Sequence, residues 1–278
     1  MRVLVTGAGG NLGRVVLPAL REAGHEPVGL DSRELDLEAE TMRGDVRDAD
    51  AVARALRGVD AVVHAAALHG VHLRRFPARE FWSVNAGGTF TVYDCARAAG
   101  IRRVVLASTM GVYGETKLLC EELAAYHARA HGMTSVALRF GMYVPESFVR
   151  YGLRLLFGGV DDRDVAQATL LALAHEPDGG FDAFDIMAPT PFRRDDAEAM
   201  AQDPEALIER HWPGSLDLFA ERGVDVRPLI WGETLWPIDK ARERLGYRPR
   251  HGFGEFLTAL RAGDESAYPF AALPQWGM

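Results

Sequence analysis

Two groups of residues in this chain have the types and spacing that chemistry needs. The first is Thr6-Gly-Ala-Gly-Gly-Asn-Leu-Gly13, in which Gly7, Gly10 and Gly13 recur at every third position between an apolar run and a helical stretch. A tight turn, a close backbone approach to phosphate and a close helix–strand crossing each need a residue without a side chain. The N–H groups at the start of the following helix (Asn11, Leu12, Gly13), with the positive end of its dipole, suit a pyrophosphate. Asp31 follows the second apolar run. A carboxylate there can accept both ribose hydroxyls of an adenosine and would repel a 2′-phosphate, which favours NAD over NADP. Arg33 is a nearby cation that can pair with such a phosphate. Asp45-Val46, after a third short strand, is placed to meet an adenine edge.

The second group is Tyr113-Gly-Glu-Thr-Lys117. A phenol with an ordinary pKa of about 10 is a poor base at neutral pH. A lysine four residues later shares its helical face. The ammonium, together with a positive nicotinamide, favours the phenolate and lowers that pKa. Tyr113 can then take a proton from a substrate hydroxyl while hydride leaves the same carbon.

The elements that must position these residues are legible in the pattern. Apolar runs rich in Val lie at Val3–Val5, Pro27–Leu30, Ala61–Val63, Val104–Ala107 and Val136–Phe140, as expected for strands covered on both faces. Between them run helical stretches at Asn11–Ala23, Ala49–Leu56, Glu80–Ala99 and Leu118–Ala130, each closed by a glycine. Four βα units in a row predict an α/β fold, a Rossmann-like doubly wound parallel sheet. After Pro145 the rhythm changes. A helix is expected at Asp164–His175, a strand at Phe181–Met187, short helices near Glu205–His211 and Leu216–Glu221, and a last pair at Lys240–Leu245 and Phe253–Ala262. The division expected is a dinucleotide-binding domain over 1–187, with 143–162 contributing to a substrate pocket, and a smaller C-terminal substrate-binding region over 188–278.

Composition narrows the classes. At 278 residues and 48% hydrophobic, the chain can bury a sizeable core without staples. Its two cysteines, Cys95 and Cys120, exclude a disulfide framework and a cysteine-rich zinc site. A net charge of −8 argues against a general nucleic-acid or anionic-membrane binder. No apolar run reaches a membrane span, and Arg2–Thr6 reads as a strand rather than a leader, so a cytoplasmic location is expected.

Taken together, the motifs resemble the extended short-chain dehydrogenase/reductases, the NAD-dependent sugar epimerase and dehydratase group. Thr6–Gly13 resembles that family's cofactor loop, Val62-Val-His-Ala-Ala-Ala67 its fourth strand, and Asn85-Ala-Gly-Gly-Thr89 its Asn-x-x-Gly-Thr helix. Leu106-Ala-Ser-Thr109 is similar to its fifth strand with the catalytic Ser/Thr. Tyr113–Lys117, followed by Glu121, is similar to its Tyr-x-x-x-Lys helix. Gly159–Ala166 and Lys240–Pro249 match its C-terminal signatures, so the resemblance covers nearly the whole chain. It implies an enzyme with NAD as cofactor, held by Gly7, Gly10, Asn11, Leu12, Gly13, Asp31, Asp45, Val46, Ala65, Ala66, Ala67, Asn85, Tyr113 and Lys117. It implies catalysis by Tyr113 as base, Lys117 lowering its pKa and Thr109 positioning the substrate hydroxyl. A homodimer paired through the 80–99 and 118–130 helices is likewise implied.

The sequence departs from the family in two places. A much longer loop usually separates the Ser/Thr from the catalytic Tyr, with another Tyr-Gly early in it; here Tyr113 serves both patterns. Four extended residue steps span about 13–14 Å, so Thr109 and Tyr113 can still face one substrate. The shortening leaves the pocket more open. The second departure is Arg139-Phe-Gly-Met-Tyr-Val-Pro-Glu146, where Met142 replaces an Asn of the nucleotide-sugar enzymes. Its Arg-x-Gly-x-x-x-Pro-Glu pattern is similar to the uronate dehydrogenase branch, which favours a small sugar or sugar acid, with Gly141 and Met142 near it. Met110-Gly111 stands where the 4,6-dehydratases place an Asp-Glu pair, which excludes that chemistry.

The expected function is hydride transfer between a sugar or sugar-acid hydroxyl carbon and nicotinamide. A nucleotide-sugar 4-epimerase and a non-catalytic NAD-binding sensor are the alternatives. In the loop after the fourth strand, Arg74 or Arg75 can clamp a substrate carboxylate. His69 and His72 lack a third ligand, so no metal is expected. Trp212, Trp231 and Trp236 read as packing for the C-terminal region, and Cys95 and Cys120 as packing within helices.

Overall fold

The apolar runs form a seven-stranded, wholly parallel sheet in the order β3-β2-β1-β4-β5-β6-β7. In the computed structural model, which describes residues 1–109, 114–226 and 236–274, the strands are β1 (Arg2–Thr6), β2 (Glu26–Asp31), β3 (Glu40–Arg43), β4 (Ala61–His64), β5 (Arg103–Thr109), β6 (Thr134–Phe140) and β7 (Phe181–Ile186). Alternate residues of β1, β4, β5 and β6 feed two separate cores. Val3 and Val5 point to one face, while Leu4 points to the other. Burial on both faces is why these central strands read as Val and Leu runs, whereas β7 alternates and β3 at the edge is half-exposed.

Helices α2 (Ala49–Ala55), α4 (Gly88–Ala98) and α5 (Gly114–His131) cover the Leu4 face. Helices α1 (Asn11–Glu22), α6 (Phe148–Arg154) and α7 (Asp162–Ala174) cover the other. The C-terminal region adds α8 (Ala197–Gln202), α9 (Pro204–His211), α10 (Ser215–Ala220) and α11 (Phe253–Ala262). Its buried Phe219, Tyr247 and Phe256 join the α1–α7 core without a break.

Several helical expectations change. The single stretch expected at 80–99 is α3 (Ala78–Phe81), a π-helical turn (Trp82–Gly87) and α4 in succession. The wider turn carries Asn85 into the interior, where it is fully buried. Helix α5 begins at Gly114 rather than Leu118, so Lys117 lies in its first turn. Helix α6 is additional, and it carries Gly152 in its middle. That glycine is required by packing: a Cβ there would sit 2.1 Å from the ring of Phe256. Helix α8 is also additional, a short helix with no side-chain hydrogen bond at its Asp196 cap.

The strand order reverses between β1 and β4, so their C-terminal ends open a crevice, the usual ligand position in such sheets. The glycine loop, Asp31 and Thr109 all follow or close strands at this end of the sheet.

Candidate active site

The loop between β1 and α1 is fixed by backbone geometry. Gly7 sits at φ +68°, a left-handed conformation that costs a side chain dearly, and a Cβ there would lie 2.8 Å from Ala66 Cα. Its N–H donates to Leu30 O at 2.8 Å, and Gly10 N donates to Gly7 O at 2.9 Å. A Cβ on Gly13 would lie 2.1 Å from Ala8 O, so only glycine lets α1 pack this close to the loop. Gly10, which precedes α1, offers no side-chain cap to its first N–H groups. A cradle that no Cβ could enter and a helix start whose N–H groups have no side-chain cap together fit a dinucleotide pyrophosphate.

Asp31 closes β2 and is nearly buried. Its Oδ2 accepts Gly9 N at 3.0 Å, and its Oδ1 accepts Arg33 N and Arg33 Nε, both at 3.0 Å. Burial alone would push its pKa up. The hydrogen bonds from Arg33 and Gly9 outweigh that and hold the carboxyl below its ordinary value. The charge expected to meet a ribose is therefore present, with Arg33 alongside it. Asp45 is likewise paired with a near neighbour, Arg47, at 2.6 Å, and Val46 is buried against Gly88.

At the end of β4, Thr6 Oγ1 accepts the N–H groups of Ala65 and Ala66, each at 3.2 Å, and lies 2.7 Å from His64 Nδ1. The other ring nitrogen of His64 lies 2.9 Å from Thr89 Oγ1. Burial, helped by the charge of Lys117, pushes the His64 pKa down to about 3, so the ring stays neutral. Thr6, His64 and Thr89 thus lock the crevice floor, with Ala65, Ala66 and Ala67 half-buried above it. Asn85 Oδ1 accepts Leu68 N at 2.7 Å, and its amide donates to Leu68 O and Thr116 Oγ1, both at 3.0 Å. It ties the loop after β4 to α5.

Lys117 is 4% exposed, and its Nζ donates to Ala107 O at 2.8 Å. Burial pushes its pKa down, against the pull of Cys120 and Glu121. Only one other lysine, Lys240, occurs in the chain, where arginine is otherwise the cation throughout. That bias is a signal that sequence reasoning passed over. A compact ammonium with an adjustable pKa is used where a guanidinium would not serve. Thr109 is the last residue of β5, two residues beyond the carbonyl that Lys117 grips. Tyr113 lies outside the described residues, as do Met110 and Gly111.

On the substrate side, Met142 forms a parallel bridge with Gly159, and a Cβ on Gly141 would meet Met187 Sδ at 2.6 Å. A small cleft beside them is lined by Gly158, Gly159, Met187, Thr190 and Trp236. Arg74 and Arg75 are exposed, Arg75 lying over the Phe76 ring. No group of three metal-ligating side chains occurs among the described residues. Trp212 packs edge-on against Phe253, and Trp231 lies outside the described residues. Cys120 is buried, and both cysteines are free.

The NAD dependent epimerase/dehydratase family model matches residues 3–127. An L-arabinose 1-dehydrogenase (NAD(P)(+)) of Haloferax volcanii is 34% identical over 182 residues, which are 54% of this chain and 70% of that protein. The chain belongs to this family, the extended short-chain dehydrogenase/reductases. A UDP-glucose 4-epimerase of Streptomyces lividans is 32% identical over 168 residues (50% of this chain, 51% of that one). A uronate dehydrogenase of Pseudomonas syringae pv. tomato is 33% identical over 171 residues (52% and 60%). The chain thus spans between half and two thirds of the length of these two relatives. Among solved structures, a short-chain dehydrogenase/reductase superfamily protein of Agrobacterium tumefaciens with bound NAD superposes with a TM-score of 0.72 at 25% identity, covering 96% of this chain and 98% of that one. The glycine loop after β1 and the start of α5, which carries Lys117, lie at one end of the sheet. The family-type lysine is not solvated here. It is locked onto the strand that ends in Thr109.

Proposed function

We propose that the protein is an NAD-dependent oxidoreductase acting on a hydroxyl carbon of a sugar or sugar acid. The observation that carries this reading is the position of Lys117, buried in the first turn of α5 and bonded to β5 two residues before Thr109. Its charge lies beside the strand that ends in Thr109, at the same sheet end as the glycine cradle.

In this reading Gly7, Gly10, Asn11, Leu12 and Gly13 hold the pyrophosphate, and Asp31 the adenosine ribose. Asp45, Val46 and Ala65–Ala67 line the remaining cofactor surface, with Asn85 fixing the loop above. Bound NAD⁺ supplies the hydride acceptor. Thr109 orients the substrate hydroxyl by a hydrogen bond, and Tyr113 takes its proton. Lys117 favours the phenolate form of Tyr113 through its charge and binds the nicotinamide ribose. Gly141 and Met142 border the sugar, and Arg74 or Arg75 meets its carboxylate.

Residues 1–187 form the cofactor-binding part and 188–278 the smaller region over the substrate, with 143–162 shared between them. Exposed Phe90 on α4 and Leu118 and Tyr126 on α5 form an apolar surface suited to a homodimer. No helix among the described residues is long and apolar enough to cross a membrane. The two free thiols suit the cytoplasm.

The test is NADH formation on NAD⁺ with a panel of free uronates and aldoses, with Tyr113→Phe and NADP⁺ as controls. NADH from one sugar class, lost in the variant, is the expected result. Cofactor binding with no NADH from any free sugar overturns the dehydrogenase reading. Interconversion of UDP-sugars without net NADH would then favour the epimerase, which the match to the Streptomyces relative keeps in view.

A further inference from the structure

Three polar side chains stand in register across three neighbouring strands. Ser108 of β5 lies opposite Arg139 of β6, and Arg139 lies opposite Asp185 of β7. Glu121 of α5 closes over the row. Its Oε1 accepts Ser108 Oγ at 2.5 Å and Arg139 Nε at 2.9 Å, and its Oε2 accepts a terminal guanidinium nitrogen at 2.7 Å. The other terminal nitrogen of Arg139 is 3.7 Å from the Asp185 carboxylate. None of these four groups has a part in the cradle or in the proton transfer described above.

An ion pair between a buried carboxylate and a half-buried guanidinium adds little stability over an apolar filling of the same volume. What it does supply is registry. A carboxylate gripped bidentately by a planar guanidinium fixes both the rotation and the height of the element that carries it, which an apolar contact does not.

The element here is α5. Glu121 lies one turn beyond Lys117 on the same helical face. Lys117 bonds to Ala107 O, and Glu121 bonds to Ser108, the next residue along β5. Two successive turns of the helix are therefore fastened to two successive residues of the strand, immediately before Thr109.

We infer that Glu121, held by Arg139 and Ser108, is a positioning residue that sets where Lys117 stands against the Thr109 end of β5. Its catalytic consequence rests on the function proposed above, but the placement itself does not.

Native-state amine acetylation read by mass spectrometry tests it directly, because Lys117 and Lys240 are the only lysines. The Lys240 side chain is about half exposed (49%) and serves as the internal reference. In the unaltered protein Lys117 should label slowly and Lys240 fast. Glu121→Ala should speed Lys117 labelling by about tenfold, a local opening that leaves the Lys240 rate and a single cooperative melting transition in place. Glu121→Gln, whose one oxygen can still accept from Ser108 and Arg139 Nε but whose amide N–H faces the second guanidinium nitrogen, should restore only part of the protection. In turnover, Glu121→Ala should lower kcat by about ten- to a hundredfold with the sugar KM nearly unchanged, as expected when a catalytic group is displaced. Unchanged Lys117 labelling in a cooperatively melting Glu121→Ala protein overturns the inference. If that variant does not fold, Ser108→Ala takes its place, with faster Lys117 labelling expected and an unchanged rate overturning the inference. Labelling needs no substrate, so an unaltered protein that oxidises no sugar would sink the proposed function and leave this result standing.

Discussion

Arg33 lies along the Asp31 carboxylate, with Nε 3.0 Å from Oδ1 and a terminal nitrogen 3.3 Å from Oδ2. The pair sits at the end of β2 where an adenosine ribose is expected, so one site holds both an acceptor for ribose hydroxyls and a cation for a 2′-phosphate. Removing either partner should therefore move cofactor preference in opposite directions. Arg33→Ala leaves Asp31 uncompensated and should raise the preference for NAD⁺ over NADP⁺ by about tenfold, the scale of one charge-assisted hydrogen bond. Asp31→Ala frees the guanidinium and should shift preference toward NADP⁺ by at least as much. Calorimetric affinities for both dinucleotides read the change. Parallel shifts in the two variants would count against the pair as the discriminating element.

Gly13 offers a sharper structural test of the cradle. A methyl group there would stand 2.1 Å from Ala8 O and 2.6 Å from Ala8 Cα, both backbone atoms that cannot swing aside. Gly13→Ala should push α1 off the loop at a cost of about 1–3 kcal/mol, typical of overpacking. The melting temperature should fall by several degrees, and NAD⁺ affinity should fall with it because the helix start moves away from the phosphates. Gly24, where a Cβ would meet nothing within 4 Å but φ is +78°, is the control: Gly24→Ala should lower stability and spare affinity.

How far the sequence reads through to the structure depends on whether a residue's type is set by local chemistry or by register. Gly7 and Gly13 are legible because the turn and the crossing admit nothing else, and the strands because burial on both faces leaves continuous Val runs. Lys117 is legible through its spacing from Tyr113, although its burial is not. Gly152 has no local cue, because the ring of Phe256, a hundred residues away, dictates it. The Ser108–Arg139–Asp185 row is not legible as a row either, although two of its members, Ser108 and Arg139, lie in family-like motifs. Ser108 stands beside Thr109, Arg139 is marked only by the resemblance of its own segment, Asp185 is one of two aspartates in β7, and only the pairing of β5, β6 and β7 brings them abreast. Likewise the π-helical turn that buries Asn85 has no signal separate from its flanking helices.

The apolar surface on α4 and α5 predicts an association state. Leu118 is 55% exposed, Phe90 50% and Tyr126 48%. Leu118 and Tyr126 lie two turns apart on one face of α5, and Phe90 reaches the same helix through an edge contact with His127. Single apolar residues on a surface need no explanation, whereas a contiguous group marks a contact. Leu118→Glu and Tyr126→Glu together should convert a dimer into a folded monomer in sedimentation equilibrium, with the melting transition still cooperative. A parent protein that sediments as a monomer would remove the basis for the homodimer.

Asp162, in the first turn of α7, gives a pH dependence with a definite sign. Burial and then the charge of Asp161 push its pKa up from 3.8 to about 6, and Tyr151 Oη donates to its Oδ1 at 3.2 Å. The folded protein thus holds a proton on this carboxyl more tightly than the unfolded chain does. Between about pH 4 and pH 6 the native state binds more protons, so stability should fall as pH rises through that window and level off above it. The whole effect is on the order of 2 kcal/mol, since a tenfold difference in proton affinity between the two states is worth about 1.4 kcal/mol and the carboxyl keeps some contact with water. Asp162→Asn keeps a neutral side chain at every pH and should abolish that part of the slope. Its stability relative to the parent should therefore be lowest near pH 4 and improve toward pH 7. Urea melts of both proteins at pH 4, 5, 6 and 7 measure the difference directly, and a difference that does not change with pH would show that Asp162 titrates as it does in the unfolded chain.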